Sequence, residues 1–388
     1  MVGKHSAVEL GAFSDRGRYS TSRYNFGPGK YSIALSLCFG ILTIPKNDTF
    51  STVAHIHLRE MTGSINNLNL NTYGHMTTYV PIRKSQIFHY LKTPLYIKND
   101  KGDYILYKSE NTKIDSKRFI EDAYPQLYTP EEMSSGAFEE LRYQLKNKLV
   151  KKIEAGDLRS IKSTLNEIVQ ESFEEPIEEN IQHLPETIEL IYNEYSSASK
   201  LLKTIVGIQY GGTTLSEHSI NVMLLVLNYC VFTNQSEKDT KALSLGALLH
   251  DVGLAIIPKK LIESKRKLTD SEFTEYKSHP AIGHDMIKEN FNTDDSLSVG
   301  ALEHHERLDG SGYPRGISNI AFEGRLIGMI DCFDSLTNSK KIYRRKKDPF
   351  SALKLIQDEM LHMGKFDKVI FKDLCLSLFG KTKYSDAY

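Results

Sequence analysis

The feature that most constrains the fold of this chain is the stretch from His304 to Pro314, which reads HHERLDGSGYP. Its adjacent imidazoles can both bind metal, and the glycine-rich turn that follows allows the backbone to come close to a bound molecule. More histidines and aspartates lie before and after this stretch, in a region whose other residues predict helices. We therefore expect a helical domain whose histidines lie at helix ends.

The length of 388 residues favours two or three domains with a large core, and the composition is ordinary for a soluble globular protein. A formal net charge of zero argues against binding to bulk nucleic acid or to an anionic membrane, but leaves room for a local basic site for a small anion. The cysteines are far apart and form no CxxC pair, so a reducing intracellular compartment is the simpler prediction.

The best candidate for a membrane span runs from Tyr31 to Ile44 and is ended by Pro45. It contains serines and a glycine, and it falls short of the roughly 20 apolar residues that a span requires. It also starts too late for a cleaved signal and lacks the usual charged stretch before it. The sequence therefore predicts a cytoplasmic protein with no membrane span.

Residues 1–76 are rich in Gly, Ser, Asn and Thr and sustain no long period. Gly74-His75-Met76 resembles a cloning scar, or Met76 is a natural start in an over-extended reading frame. A real but irregular N-terminal segment is an equally good interpretation, so the alternatives stay open.

Residues 77–130 contain short β-like runs, and those at Leu95–Lys98 and Tyr104–Lys108 flank the turn-rich Asn99–Asp103 and predict a hairpin. We interpret this segment as a small α+β or β module with a regulatory role. Residues 131–205 are charged, place apolar residues at helical spacing and predict a helical connector. Two copies of the chain could pair through this connector as a homodimer, although its apolar face would pack equally well within one chain.

Residues 206–388 predict helices throughout, apart from the glycine-rich turn. The apolar stretches Asn221–Phe232 and Ala242–Leu249 have lengths that fit buried helices better than strands. The predicted fold class is therefore α+β overall, with an all-α C-terminal domain preceded by a small β-containing module.

The C-terminal domain supplies histidines and aspartates in an order that suits a pair of metal ions. Mixed His/Asp sets favour iron, manganese or zinc, and two metals about 4 Å apart can activate water and hold both oxygens of a phosphoryl displacement. Single histidines are more often structural, and we interpret His183, His284 and His362 in that way. The candidate ligands are His218, His250, Asp251, His279, His304, His305 and Asp331.

The segment from His218 to Asp367 resembles the HD-GYP family, a branch of the HD-superfamily metal phosphohydrolases. The matching stretches are His250-Asp251-Val252-Gly253, Leu268-Thr269 leading to His279-Pro280 and Gly283, His304 to Gly316, Asp331 to Thr337, and Gly364-Lys365-Phe366-Asp367. These motifs are numerous, ordered and specific, but they do not reach residues 1–130. The resemblance implies an HD-type helical fold for the catalytic domain.

The resemblance also implies hydrolysis of cyclic di-GMP, a bacterial second messenger, to pGpG and onward to GMP. The nucleophile would be a metal-bridging water or hydroxide, and the two divalent ions would be iron or manganese. The implied ligands of one metal are His218, His250, Asp251 and Asp331, and those of the second are Asp251, His279, His304 and His305.

Further roles follow from the resemblance for residues around the metals. Asp251 and Tyr313 are implied in catalysis, and Gly312-Tyr313-Pro314 in the wall of the substrate site. Lys341 and Arg344 are implied in phosphate contact. Alternatively, Tyr313 only packs the turn, and the basic stretch is a solvated loop that Lys346-Lys347 continues.

Departures from the family pattern put the implied contacts with the substrate phosphate in question. Leu254 stands where the family has a lysine near the substrate phosphate, so Lys259 or Lys260 would have to compensate, or Leu254 merely packs in an active enzyme. Thr214 stands where some members carry a glutamate that supports a third metal, so we expect two metals. Lys341-Ile342-Tyr343 replaces the usual Arg-Pro-Tyr.

The leading hypothesis is a metal-dependent phosphodiesterase for cyclic di-GMP, and a close variant prefers cyclic GMP-AMP. A second class is a degenerate sensor or scaffold that binds metal and nucleotide and signals through protein partners. Leu254 and the altered basic loop favour that class, while the retained ligand set opposes it. Another HD-type nucleotide phosphohydrolase is the weakest alternative, because the loop with Tyr313 disfavours it.

Overall fold

The computed structural model describes residues 77–114, 125–174, 178–196, 199–208, 214–264, 266–291, 295–338 and 346–379. In these ranges the chain forms a small antiparallel sheet followed by a succession of helices. The predicted α+β fold class is confirmed. Residues 1–76, with the candidate span Tyr31–Ile44, lie outside the described residues.

The sheet has the strand order β1-β4-β2-β3, and each neighbouring pair is antiparallel. β2 and β3 form the predicted hairpin, in which Gly102 has a φ of 91°, a conformation that residues with a Cβ rarely adopt. A short 3-10 helix, Lys84–His89, lies between β1 and β2. The strands are β1 (Tyr79–Ile82), β2 (Leu95–Lys98), β3 (Tyr104–Lys108) and β4 (Leu127–Pro130).

Alternation along the strands divides the sheet into an apolar face and a tyrosine-rich face. Ile82, Leu95 and Leu127 are buried and belong to the same hydrophobic core as the helices. On the opposite face Tyr79 and Tyr104 stack, with ring centroids 4.0 Å apart. The sheet therefore packs its apolar face against helices instead of standing alone.

The helical part of the chain continues the same core. One hydrophobic core includes residues from Ile82 to Leu374. This core extends across the predicted domain boundaries near residues 130 and 205, which therefore stay predictions. The helices are α1 (Ser134–Glu154), α2 (Leu158–Glu174), α3 (Glu178–Ile181), α4 (Leu184–Tyr195), α5 (Ser199–Gly207), α6 (Leu215–Thr233), α7 (Glu237–Leu249), α8 (Lys259–Ile262), α9 (Asp270–Tyr276), α10 (His279–Asn290), α11 (Ser296–Glu303), α12 (Phe322–Asn338), α13 (Pro349–Met363) and α14 (Lys368–Phe379).

A buried carboxylate ties the sheet to the first long helix. Glu140 of α1 accepts hydrogen bonds from the backbone N–H groups of Leu91, Lys92 and Thr93, at 2.7, 2.6 and 2.9 Å. Lys108 of β3 donates to the carbonyls of Leu91 and Thr93. The loop before β2 is therefore anchored by its N–H groups, which donate to Glu140, and by its carbonyls, which accept from Lys108.

Helix α6 forms the centre of the C-terminal domain. Every residue from Ser219 to Cys230 is buried. Among the described residues, α6 is the helix that is long and apolar enough to cross a membrane, but most of it is buried inside the protein, as in a core helix. It begins after Thr214, whose side chain accepts a hydrogen bond from the N–H of Glu217 and caps the helix.

Candidate metal centre

The candidate ligands lie at or near helix ends, with one exception, and meet at one point. His218 lies in the first turn of α6, and His250-Asp251 follows α7 directly. His279 begins α10, and His304-His305 follows α11. Asp331, the exception, projects from the middle of α12. The structure therefore draws the ligands from elements that are far apart along the chain.

Glycines allow these elements to approach closely enough. A Cβ on Gly253 would overlap the carbonyl oxygen of His279, and a Cβ on Gly328 would overlap that of His304. The backbone after Asp251 can therefore lie directly on α10, and α12 can lie directly on the end of α11. Both close contacts bring an aspartate next to histidines of another helix.

Asp251 lies at the centre of the cluster. Its Oδ1 is 3.2 Å from Nε2 of His279 and 3.5 Å from Nε2 of His304. Its Oδ2 is 3.4 Å from Nε2 of His250 and 3.8 Å from Nε2 of His218. Each carboxylate oxygen thus faces a different pair of imidazoles, which is the arrangement expected of a ligand shared by two cations.

Two compact groups of potential ligand atoms share Asp251. Within each group the atoms lie within 4.8 Å of one another. One group is Asp251, His279, His304 and His305, and the other is His218, His250 and Asp251.

Asp331 connects the two groups from the side of α12. Its Oδ1 is 3.1 Å from Nε2 of His218, and its Oδ2 is 3.9 Å from Nδ1 of His305. The structure therefore brings every candidate ligand predicted from the sequence into one cluster. Their role as ligands stays a prediction.

Backbone carbonyls orient the imidazoles of His250, His279 and His304. The Nδ1 atoms of these histidines lie 2.7, 2.8 and 2.7 Å from the carbonyl oxygens three residues earlier in the chain. Because a carbonyl oxygen only accepts, each Nδ1 carries the proton and each Nε2 keeps its lone pair. These are the tautomers required for binding a metal through Nε2.

His218 is oriented by a carboxylate instead. Its Nδ1 lies 2.7 Å from Oδ2 of Asp334, which is fully buried on α12. Sequence reasoning placed Asp334 in a motif but assigned it no role. Its spacing from Asp331 was an available signal, because residues three apart share one helix face.

Burial and ionic interactions oppose each other in setting the pKa values of the cluster. Burial alone would lower the pKa of His218, but hydrogen bonds to Asp331 and Asp334 outweigh it and raise that pKa well above its usual value. Burial would raise the pKa of Asp251, yet the surrounding imidazoles hold it well below the usual range. At His305 burial prevails and lowers the pKa. The carboxylates therefore stay ionised and attract positive charge to this point.

Unsatisfied atoms in the cluster indicate that it suits a cation. Within the described part of the chain, Nε2 of His250 and Oδ1 of Asp251 are buried and make no hydrogen bond of acceptable geometry. A buried polar atom without a partner costs about 1–3 kcal/mol. An imidazole lone pair and an ionised carboxylate oxygen are donor atoms that borderline divalent metals accept, so the residues fit such ions.

The glycine-rich loop lies against this cluster. The ring centroid of Tyr313 is 4.5 Å from that of His305, and the N–H of Tyr313 donates to the carbonyl of His305. A Cβ on Gly312 would overlap the backbone of Glu306, so glycine permits the close approach. The Tyr313–Pro314 peptide is cis. Burial raises the pKa of Tyr313, so its hydroxyl stays protonated beside the cluster.

Two further carboxylates, which sequence reasoning missed, hold the loop in place. Glu306 accepts from the N–H groups of Arg315 and Ile317, at 2.7 and 3.0 Å. Glu303 accepts from the N–H of Ala321 at 2.6 Å and from the guanidinium of Arg315. Their position on either side of His304-His305 was the available signal.

Leu254 fills a small apolar cluster. It is 3% exposed and packs with Ile257 and Leu261. This burial gives the leucine a packing role at the position where the family has a lysine.

The remaining candidates for phosphate contact are basic residues of two other segments. Lys341 and Arg344 lie outside the described residues, so their predicted contact stays a prediction. Lys259 and Lys260 are exposed on α8.

Comparison with known proteins agrees with this geometry. Residues 187–370 match the family model described as HD domain. The chain is similar to the HDG"Y"P protein Bd1817 from Bdellovibrio bacteriovorus, with a TM-score of 0.52 and 20% identity over 76% of this chain and 98% of that one. Residues 187–370 thus match the HD class, and the His/Asp cluster lies within them. With the Gly312-Tyr313-Pro314 loop beside the cluster, this part of the chain is similar to HD-GYP proteins.

Curated relatives are similar over part of their length. The cyclic di-GMP phosphodiesterase response regulator RpfG of Xanthomonas campestris is 31% identical over 50% of this chain and 52% of its own. The cyclic di-GMP phosphodiesterase PdeB of Borreliella burgdorferi is 32% identical over 40% of each chain. The 3'3'-cGAMP-specific phosphodiesterase 1 of Vibrio cholerae is 32% identical over 34% of this chain and 30% of its own. The chain thus spans about half or less of these relatives.

Proposed function

We propose that this chain is a metal-dependent phosphodiesterase that hydrolyses cyclic di-GMP to pGpG and GMP in bacterial signalling. The observation that carries the proposal is the position of Asp251, whose two oxygens face different pairs of imidazoles. That arrangement suits two divalent ions, and the mixed His/Asp donors favour iron or manganese. When bound, such ions activate water and stabilise charge on the reacting phosphate.

The protein's own residues would prepare the site for this chemistry. Hydrogen bonds at Nδ1 aim the Nε2 lone pairs of His250, His279 and His304 inward before any ion binds. Asp251 stays ionised because the imidazoles hold its pKa low. The protonated hydroxyl of Tyr313 can donate a hydrogen bond to a substrate oxygen. Preorganised donors of this kind lower the cost of charge development in a transition state.

The similarity to RpfG and PdeB supports a cyclic dinucleotide as substrate. Cyclic di-GMP is the first candidate, because it is the substrate named for RpfG and PdeB. Selectivity for cyclic GMP-AMP is the second candidate, favoured by the similarity to the cGAMP-specific enzyme of Vibrio cholerae. Gly312-Tyr313-Pro314 would line the substrate site in either case, with Lys341 and Arg344 as candidate phosphate contacts.

A degenerate sensor or scaffold is the competing proposal. The burial of Leu254 favours it, because a leucine cannot supply the positive charge that a lysine would bring to a phosphate. A cytoplasmic location, signalling partners, and pairing of two copies through α1–α5 also stay predictions.

The test is anaerobic purification, metal analysis, and turnover of a panel of cyclic dinucleotides. We expect about two equivalents of iron or manganese and product formation that Asp251→Ala abolishes. The matched control is His284→Ala, which alters a histidine of α10 outside the cluster. Nucleotide binding without turnover under both iron and manganese loading would favour the sensor. Turnover unaffected by Asp251→Ala would contradict the proposed site.

A further inference from the structure

A continuous set of aromatic rings extends outward from the metal-ligand cluster. Next to His305 lies Tyr313, and the ring of Phe273 lies 6.1 Å from that of Tyr313 at an interplanar angle of 76°. Tyr276 completes the set, with its ring 6.3 Å from Phe273 and 5.0 Å from His279. We call Phe273, Tyr276 and Tyr313 the aromatic wall. It joins α9 to the glycine-rich loop.

The outermost ring of the wall is open to solvent. Phe273 is 43% exposed, although a phenylalanine gains free energy by burial. Single exposed apolar residues are common, and Phe350 on α13 is 74% exposed. Phe273 differs because its ring contacts a tyrosine that in turn contacts a candidate metal ligand. The exposed ring of Phe273 is therefore linked through neighbouring rings to the candidate metal centre.

A positive charge accompanies this exposed ring. Nζ of Lys277 lies 5.1 Å from the centroid of Phe273, within the range of a cation–π interaction. An exposed aromatic ring with a cation over it suits a ligand that combines an aromatic ring with negative charge. Nucleotides have this combination, because a base stacks on aromatic side chains while phosphates are anionic.

We propose that the aromatic wall, through Phe273, is a stacking surface for a nucleobase of the substrate. The inference rests on the proposed function, since it places the phosphate of that nucleotide at the metal-ligand cluster. Tyr313 stands between the cluster and Phe273, so the base lies beyond the reacting phosphate on the side of α9. Stacking accepts any base, because every base presents a π face. The wall therefore supplies affinity and leaves the choice between guanine and adenine to other contacts.

A tryptophan reporter tests the contact directly. The chain contains no tryptophan, so Phe273→Trp places a single tryptophan in the wall, and its emission can be excited selectively. The metal-loaded variant is titrated with a phosphorothioate analogue of cyclic di-GMP that resists hydrolysis. We expect saturable quenching by the stacked base, and none with inorganic phosphate. Phe350→Trp is the matched control, because Phe350 is also exposed but lies on another helix, α13. Equal responses of the two variants to the analogue would overturn the inference.

Kinetics provide a second, independent test. Phe273→Ala is expected to raise KM for cyclic di-GMP roughly tenfold, with a much smaller change in kcat, since stacking contributes to binding. Phe273→Tyr keeps a ring and should restore most of the affinity, whereas Phe273→Leu should not. Methyl p-nitrophenyl phosphate is a diester without a nucleobase. In Phe273→Ala, kcat/KM for this diester should fall far less than kcat/KM for cyclic di-GMP. An equal loss with both substrates would show a structural defect and would contradict base stacking.

The two proposals can fail separately. If the wild-type protein hydrolyses no cyclic dinucleotide while Phe273→Trp is quenched, the phosphodiesterase proposal fails and nucleotide stacking stands. If turnover is normal while Phe273→Ala leaves KM unchanged, the stacking inference fails and the proposed function stands.

Discussion

A histidine that binds a cation through Nε2 is oriented by the group that its Nδ1 contacts. For His218 that group is the fully buried carboxylate of Asp334, 2.7 Å away. We expect Asp334→Ala to weaken divalent metal binding about 10- to 100-fold, because the imidazole loses the partner that holds it. Competition with a chelator of known affinity measures this. Asp334→Asn retains an acceptor oxygen and should lose less. Wild-type affinity in Asp334→Ala would contradict this role.

Leu254 is a second residue whose role depends on its surroundings. Because it is 3% exposed and packs with Ile257 and Leu261, truncation leaves a cavity. Leu254→Ala should lower the free energy of unfolding by about 2–5 kcal/mol, measured by urea denaturation. The control is Ile256→Ala, since Ile256 is 59% exposed two residues away. Similar unfolding midpoints for both variants would show that Leu254 has no packing role.

At the scale of elements, the sheet depends on Glu140 of α1 for its attachment. Burial would raise the pKa of Glu140, but hydrogen bonds from the loop at Leu91, Lys92 and Thr93 outweigh it and lower that pKa. A carboxyl group whose folded pKa is depressed adds stability above its unfolded pKa of about 4.3, and this stability is lost as pH falls through the folded pKa. We expect Glu140→Ala to cost roughly 3 kcal/mol near neutral pH, because it leaves backbone donors unpaired.

Urea unfolding at neutral and acid pH checks this expectation for the attachment. The difference between the wild type and Glu140→Ala should shrink as pH falls below about 4, since the wild type loses its ionised acceptor. Glu139→Ala, which changes the exposed neighbour on the same helix, should unfold like the wild type at each pH. A pH-independent difference for Glu140→Ala would show that the carboxylate charge is not responsible.

At the scale of the whole molecule, the cluster of candidate ligands links five helical segments through Asp251 and its neighbours. A cation that binds only the folded state stabilises it by about 2.7 kcal/mol when its free concentration is a hundredfold above Kd. Removal of metal should therefore lower Tm, measured by calorimetry before and after chelation. Asp251→Ala should lose this response, whereas His284→Ala on α10 should keep it. Identical Tm values for loaded and stripped wild type would contradict a cation site in the cluster.

The residue types and spacings of the chain by themselves determined the α+β class, the β2–β3 hairpin and the candidate ligand set. These are local properties, because strand alternation, turn residues and the donor atoms of His and Asp can be recognised without knowing how helices pack. Only the tertiary structure decided that Asp251 faces two pairs of imidazoles, that Asp334 orients His218 across 116 residues, and that Phe273 adjoins Tyr313. Such contacts depend on how helices remote in sequence dock, which the local pattern does not specify.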